Sequence, residues 1–419
     1  MKIMHIIAGN LDRGAAKGAY WLHQGLIDLG IDSFVWTNSE TIIEDDKIVS
    51  PNRSKKDKLF NFIRAQLDSQ IQVFYPKRKR AIFSSGFFGF DFTKVKEYKE
   101  ADIIHLHWIN GGFVNIKHLS KIAKPMVWTL RDMWPLTGGC HYSMECENYK
   151  NGCGKCMQLN SKSSLDLSKM ILNRKKKYIP KDLKIIGISQ WLSLKAKESE
   201  IFKEFDIRTI SNNINTRDFF PVEKSLAKKI LGLNTNKKII LTGAQNLKDF
   251  YKGPSEFLNL IRLLDRDKYF IVFFGKLDKS IVSELDNIGL EYKSFGFLYD
   301  SISLRLVYSA SDVFVATSLM EAFGKTLAES MACGTPVVCF DATGPKDIVT
   351  HKIDGYKARA FEVEDLYNGI KWIVDSPSYN EFSKNARDKV LKEFDNTVIA
   401  KKYIKLYEEI SNGRRVRGK

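Results

Sequence analysis

The 419-residue sequence contains no run of 18 or more uncharged apolar residues, so no membrane-spanning helix is expected from it. Its opening, MKIMHIIAGNLDRG, has too short an apolar run for a secretory leader and passes straight into a Gly-bearing turn. It reads as the first strand of a domain, and the protein is expected to stay in the cytoplasm. No internal repeat, low-complexity tract, helix-turn-helix or RNA-binding signature is present, which argues against nucleic acid as a partner. Cysteine is scarce, with four of the six residues crowded into 140–156, and disulfides are disfavoured in a cytosolic chain. Acid is short in the first half: residues 1–220 hold 35 Lys and Arg against 23 Asp and Glu, whereas residues 221–419 hold 31 against 26. Of the +17 formal charge, +12 therefore lies in the first half, which suggests that this half meets something anionic.

The length predicts two domains. Short β-branched runs alternate with helical periods: strands at 2–8, 32–38, 101–108, 124–130 and 183–189, with a helix over 15–29. A second series has strands at 237–244, 268–275, 292–297, 312–317 and 336–340, with a helix from near Pro254. Between the series, RTISNNINTRDFFPVEK (208–224) reads as an inter-domain linker. The expected class is α/β, two doubly wound Rossmann-like domains facing across a cleft, with ligands at the carboxyl ends of the strands. Residues 51–90 interrupt the first domain. Within them, 52–80 carry nine basic and two acidic residues, interleaved with Leu59, Phe60, Phe62, Ile63, Ile71, Val73 and Phe74. Such a stretch suits an anionic bilayer, or is an ordinary surface helix packed on its own domain. The basic tail GRRVRGK (413–419) is expected to be disordered.

At 318–334, SLMEAFGKTLAESMACG follows a strand and sets Glu321 before a helix starting near Gly324, with Glu329 inside it. The first amides of a helix and its dipole favour an anion, so a phosphate can bind there. Eight residues of helical rise span about 12 Å, beyond the roughly 5–9.5 Å of paired glycosidase carboxylates. The two acids suit opposite ends of one long ligand, taking sugar and ribose hydroxyls with a diphosphate between them. Alone they could equally be exposed helix-end acids. Lys252-Gly253, after the first strand of the second series, supplies a cation for the diphosphate. DATGPKDIV (341–349) brings a third strand-end loop, with Gly344. Three such loops on one sheet edge describe a nucleotide site.

SLMEAFGKTLAESMACGTPVV resembles the Glu-(seven residues)-Glu signature of retaining GT-B glycosyltransferases of family 4. TLRDMWPLTGGCHYSMECENYKNGCGKC (129–156) resembles the subgroup that builds bacterial exopolysaccharide, capsule and O-antigen chains. The resemblance covers essentially the whole chain. It implies an acceptor-binding domain over 1–210, with the basic insertion 51–90, the Cys-rich loop 140–156 and a C-terminal helix 395–412 packing back onto it. A nucleotide-sugar domain would cover 211–394. It also implies that Glu321 contacts the donor sugar near the Phe323 and Gly324 amides, that Lys325 and Thr326 line the donor site, that Glu329 holds the ribose and that Lys252 meets the diphosphate. His107 would reach the donor sugar from the first domain, with His105 on the same strand face as the fallback. In the loop GNLDRGAAKGAYW (9–21), Gly14 and Ala15 would let a phosphate or acceptor approach the backbone. Arg131 and Asp132 would lie on the acceptor side.

The sequence departs from that pattern in having no Arg in TGAQNLKD, in reading NNIN at 212–215, and in placing Arg131 where a His is frequent. The first departure puts diphosphate stabilisation on Lys252 and the helix amides. The resemblance implies transfer with retention, the departing diphosphate guiding the acceptor hydroxyl, from a UDP- or GDP-sugar to a polyprenyl-diphosphate-linked glycan. The protein would then sit peripherally on the inner face of the bacterial cytoplasmic membrane, against its anionic surface. No catalytic metal is expected, and Asp265-Arg266-Asp267 reads as surface. Cys140, Cys146, Cys153 and Cys156 are candidates for a structural zinc site, the alternative being reduced thiols. The rival functions are a non-enzymatic basic membrane- or nucleic-acid-binding protein and a sugar-nucleotide epimerase.

Overall fold

The structure, a computed structural model, describes residues 1–39, 43–51, 54–79, 81–277 and 279–417, with side chains to 412. Arg53 and Arg80 of the basic stretch, and the side chains of the 413–419 tail, lie outside the described residues. The chain divides into two compact units, Met1–Ser211 with Ile399–Lys419, and Asn212–Val398.

The first unit runs β1 (Lys2–Ile7), α1 (Gly14–Asp28), β2 (Asp32–Thr37), β3 (Ile48–Val49), α2 (Lys55–Gln70), α3 (Lys96–Glu100), β4 (Ile103–Leu106), β5 (Met126–Leu130), α4 (Leu167–Tyr178), β6 (Lys184–Gly187), α5 (Gln190–Glu198) and β7 (Ile207–Thr209). Its seven strands are parallel, in the order β3-β2-β1-β4-β5-β6-β7. The central strands are buried almost throughout, as expected where helices cover both faces of a parallel sheet.

The second unit contains α6 (Lys224–Ile230), β8 (Lys238–Asn246), α7 (Pro254–Ile261), β9 (Tyr269–Lys276), α8 (Lys279–Ile288), β10 (Tyr292–Ser294), α9 (Ser301–Ala310), β11 (Val313–Ala316), α10 (Lys325–Ala332), β12 (Val337–Phe340), β13 (Gly355–Ala358), α11 (Val363–Val374) and α12 (Tyr379–Lys389). Six parallel strands are ordered β10-β9-β8-β11-β12-β13. Both sheets reverse direction beside their first strand, between β1 and β4 and between β8 and β11. That is the topological switch point, where the loops leaving the strands diverge and make room for a ligand.

The last helix, α13 (Asn396–Arg417), returns the chain to the first unit. Ile399, Ala400, Tyr403, Leu406 and Tyr407 recur at helical spacing and pack with Ile3, Leu22, Leu26, Ile103 and Val127. Its backbone continues as helix through Arg417, where the basic composition predicts disorder. Strands β3, β7 and β13 carry no apolar run long enough to be read from sequence. All three are sheet edges, where one strand face suffices to hold them.

Candidate functional site

Three loops leave the strand ends at the switch point of the second sheet, and hydrogen bonds tie them together. After β11, the Thr317 hydroxyl donates to Lys252 O at 3.0 Å and to Gly253 O at 3.1 Å. The Leu319 and Met320 amides donate to Tyr251 O. On the other side, the Glu321 amide donates to Thr343 Oγ1 at 3.3 Å, and the Gly344 amide to Glu321 O at 2.9 Å. Lys252, Glu321 and Gly344, read as belonging to one edge, are therefore neighbours. The glycines explain the closeness. Gly253 has φ +69, and a Cβ there would stand 1.9 Å from Thr317 O, so only glycine permits this approach.

The Lys252 ammonium meets Glu321 Oε1 at 3.0 Å, both side chains mostly buried. A cation and an acid thus face each other at the C-terminal edge of the sheet. Helices α7 and α10 begin beside them, each from a left-handed glycine, Gly253 or Gly324, with no side-chain cap. Helices α1, α3, α11 and α12 also start without a side-chain cap, whereas α2, α4, α5, α6 and α9 take a side-chain oxygen from Ser54, Asp166, Ser189, Glu223 and Asp300. Gly253 and Gly324 have no side chain to cap these first turns, an arrangement that suits an anion. Lys325 and Thr326 open α10 half-buried. Phe323 is buried against Phe394, which fixes the backbone just before Gly324.

Glu329 lies deeper, 2% exposed. Its Oε2 accepts the Tyr308 hydroxyl at 3.0 Å, and Lys325 Nζ lies 4.0 Å from Oε1. Burial and this carboxylate push the Tyr308 hydroxyl well up, so it remains a donor. A carboxylate has about four lone-pair sites, and these contacts leave acceptor capacity for a further hydroxyl. Tyr308 could not be read from sequence, because α9 reaches α10 only through the folded packing.

In the first unit, Gly14 is exposed and Ala15 half-buried at the start of α1. The loops after β1 and β4 join through the Ala8 amide and Trp108 O at 2.7 Å. His107 is 2% exposed. Its Nδ1 lies 3.3 Å from Arg131 Nη2, and its Nε2 lies 2.9 Å from His5 Nδ1. A guanidinium only donates, so His107 Nδ1 must accept. Its proton then sits on Nε2 and is given to His5 Nδ1, which leaves the His5 proton on Nε2. Among the described residues that His5 nitrogen has no hydrogen-bond partner. His105 pairs with His5 in the strand register and has both nitrogens engaged, by the Tyr407 hydroxyl at 2.6 Å and Thr129 Oγ1 at 2.7 Å. Burial, with Arg131 adding to it, holds all three imidazoles well below their ordinary range, so they are neutral. His5 was missed from sequence, and its one signal is a polar residue inside the apolar run KIMHII.

Arg131 and Asp132 do different work. Arg131 joins the imidazole chain, and Asp132 Oδ2 takes His141 Nδ1 at 2.6 Å and the Trp108 indole at 2.9 Å. His141 Nε2 in turn lies 3.0 Å from Ser84 Oγ and 3.2 Å from Asn110 Nδ2. His141 stands in the long motif that marks this region, but only the fold shows its carboxylate partner.

The four loop cysteines are free. Burial raises the thiols of Cys140, Cys153 and Cys156, that of Cys153 to about 12. Cys153 and Lys155 take left-handed backbone angles, and the Cys156 amide is held by Asp166 at 2.8 Å. Beside them Lys175 is fully buried. It donates to Thr137 O at 2.8 Å and to Trp134 O, and lies 3.8 Å over the Trp134 ring. Among the described residues, the grouping of three or more potential ligand atoms within 4.8 Å of one another is His5, His105 and His107, not the thiols. Five of the six nitrogens of that trio are already engaged. No helix of the described residues is long and apolar enough to cross a membrane.

Residues 223–389 match the family model of the glycosyl transferases group 1. Over 207 residues the chain is 29% identical to the N,N'-diacetylbacillosaminyl-diphospho-undecaprenol alpha-1,3-N-acetylgalactosaminyltransferase of Campylobacter jejuni, covering 48% of this chain and 53% of that one. The chain thus spans about half the length of that relative. It is 22% identical over 332 residues to the putative colanic acid biosynthesis glycosyl transferase WcaC of Escherichia coli, covering 74% and 76% of the two chains. Anabaena Alr3699/HepE, solved in complex with UDP and glucose, superposes with a TM-score of 0.65 at 16% identity, over 97% of this chain and 99% of that one. At that identity the likeness shows the fold.

Proposed function

On the premise that the second unit is a group 1 glycosyl transferase domain, in a GT-B chain resembling bacterial exopolysaccharide and O-antigen enzymes, we propose that the protein is a retaining glycosyltransferase. It moves a hexose-type sugar from a UDP- or GDP-sugar to a growing surface polysaccharide carried on a polyprenyl diphosphate. The carrying observation is the Lys252–Glu321 pair, set at a switch point beside two helix starts without side-chain caps.

The diphosphate takes the Lys252 ammonium and the first-turn amides of α10, from Gly324 through Lys325 and Thr326. Its arrival releases Glu321, whose carboxylate then accepts hydroxyls of the donor sugar beside the Phe323 amide. Glu329 accepts a ribose hydroxyl while Tyr308 orients it. These groups supply position and charge as the diphosphate leaves, and the leaving oxygen receives the acceptor proton. In the first unit, His107 is proposed as a catalytic residue, Gly14 and Ala15 as a backbone approach for phosphate or acceptor, and Arg131 and Asp132 as acceptor-side residues. A lipid-borne acceptor implies a peripheral location on the cytoplasmic face of the membrane. The Cys153-x2-Cys156 pair, with Cys140 and Cys146, supports a separate proposal of one structural zinc, which would have to draw together thiols that do not form a group within 4.8 Å among the described residues. Metal analysis giving one equivalent supports it, and none defeats it.

The test of the main reading is isothermal titration with UDP and GDP, then their sugar conjugates, without added divalent cation. We expect one nucleotide to bind in wild type, with about 10–100-fold weaker binding in Lys252→Ala, the worth of one charge-assisted hydrogen bond. Equal affinity in the variant overturns the assignment.

A further inference from the structure

Helix α2 is mounted with its polar side inward. Asn61, Arg64, Ala65 and Asp68, one stripe at helical spacing, face the first unit. The Arg64 guanidinium lies 3.5 Å over the Phe90 ring. Asp68 is buried and accepts the Ser85 hydroxyl and, at 3.1 Å, the Phe87 amide. The helix backbone rests on Gly112, where a Cβ would come within 2.6 Å of the Ala65 nitrogen.

The opposite stripe, Leu59, Phe60, Phe62, Ile63 and Leu67, is exposed, Phe62 by 62%. It continues past the helix into Val73 and Phe74, the latter 80% exposed. Lys55, Lys56 and Lys58 stand exposed at one end and Lys77, Arg78 and Lys79 at the other. Of the two acids, Asp57 closes the capping box with Ser54 and Asp68 is buried, so the outer face presents no free acid. A helix that packs through its polar side and leaves its aromatic side to solvent is built for an outside apolar phase.

We propose that the outer face of α2, with Val73 and Phe74, is a docking surface for a bilayer rich in anionic lipid. The aromatic and aliphatic stripe enters the acyl boundary, and the two basic ends lie against the headgroups. Charge selects this occupant over a second copy of the chain, because self-association through the stripe would bring like-charged ends together. The inference deepens the reading of a lipid-borne acceptor, resting on it for its purpose but not for its physics.

The experiment is co-sedimentation of the full chain with vesicles of phosphatidylcholine alone and with a third phosphatidylglycerol, at low and high salt. Wild type should pellet with the anionic vesicles at least tenfold better than with neutral ones, and salt should release it. Phe62→Ser combined with Phe74→Ser, and Lys55→Glu combined with Lys56→Glu and Lys58→Glu, should each lower binding about tenfold or more. Every altered residue is exposed, so the melting temperature of each variant should match wild type. Equal binding to neutral vesicles, or binding that survives both sets of changes, overturns the proposal. So does a wild-type dimer that Phe62→Ser dissociates, which would show the stripe covered by another copy. Vesicle binding without nucleotide binding would sink the transferase reading and leave the docking surface standing, and the reverse result would do the opposite.

Discussion

At the scale of the residue, Lys252 and Glu321 are each other's partner, and the different roles proposed for them separate their variants. Lys252→Ala removes the cation proposed to meet the diphosphate and should act on nucleotide affinity. Glu321→Ala removes the proposed sugar contact, so binding of the free nucleoside diphosphate should hold while turnover falls by about 10² or more, the usual cost of a preorganised polar contact to a reacting group. A steady-state assay beside the titration reads the split, and turnover near wild type in Glu321→Ala would remove the role. The buried imidazoles give a second prediction. The unfolded chain takes up protons as the pH falls through about 6.5, while His5, His105 and His107, held low by burial, do not. Stability is therefore whole above that pH and is lost below it, by up to about 1.4 kcal/mol per pH unit for each imidazole. The charged or titratable groups facing the trio are Arg131, His23, Tyr403 and Tyr407. Urea unfolding between pH 7.5 and 5 should show the fall, with a shallower slope in His105→Gln, and a flat wild-type profile refutes it.

At the scale of the element, the site depends on helices that start without side-chain caps and loops that lie backbone to backbone. Gly253→Ala forces a Cβ onto Thr317 O in a left-handed backbone. The loop must open, at a cost of about 1–3 kcal/mol, and the Lys252–Glu321 pair opens with it. A lowered melting temperature together with weakened binding of the nucleoside diphosphate is expected, and unchanged values in both would show the close approach to be dispensable. Much at this scale was legible. The start of α10 at Gly324, the ten strands read from apolar runs and the three loops on one edge all follow from local pattern. The edge strands β3, β7 and β13 did not, because an edge needs little apolar sequence. Nor did the orientation of α2. Its composition suits a packed surface helix as well as a docking one, and only Asp68 and Arg64 turned inward show which side is packed.

At the scale of the molecule, the chain leaves the first unit at Ser211 and completes it from Ile399. Five buried side chains of α13 fill its core, four of them large, each contributing roughly 1.5–3 kcal/mol. Their sum rivals the entire net stability of a typical domain. Residues 1–211 expressed alone should therefore aggregate or remain unfolded, and fusing 395–419 to them should restore a cooperative melt. Residues 212–398, which keep their own core, should fold alone. A soluble, cooperatively melting 1–211 fragment would contradict this.

Sequence alone determined the alternation of strand and helix, the class of fold, and the segments that carry acid, base and glycine, because each is a local pattern of side-chain size and polarity. Tertiary structure decided what those residues meet. It put Lys252 against Glu321, Tyr308 against Glu329 and His5 against His107, and it chose which side of α2 looks outward. Crossover connections set strand order, and strand order rather than distance along the chain brings such groups within hydrogen-bonding reach.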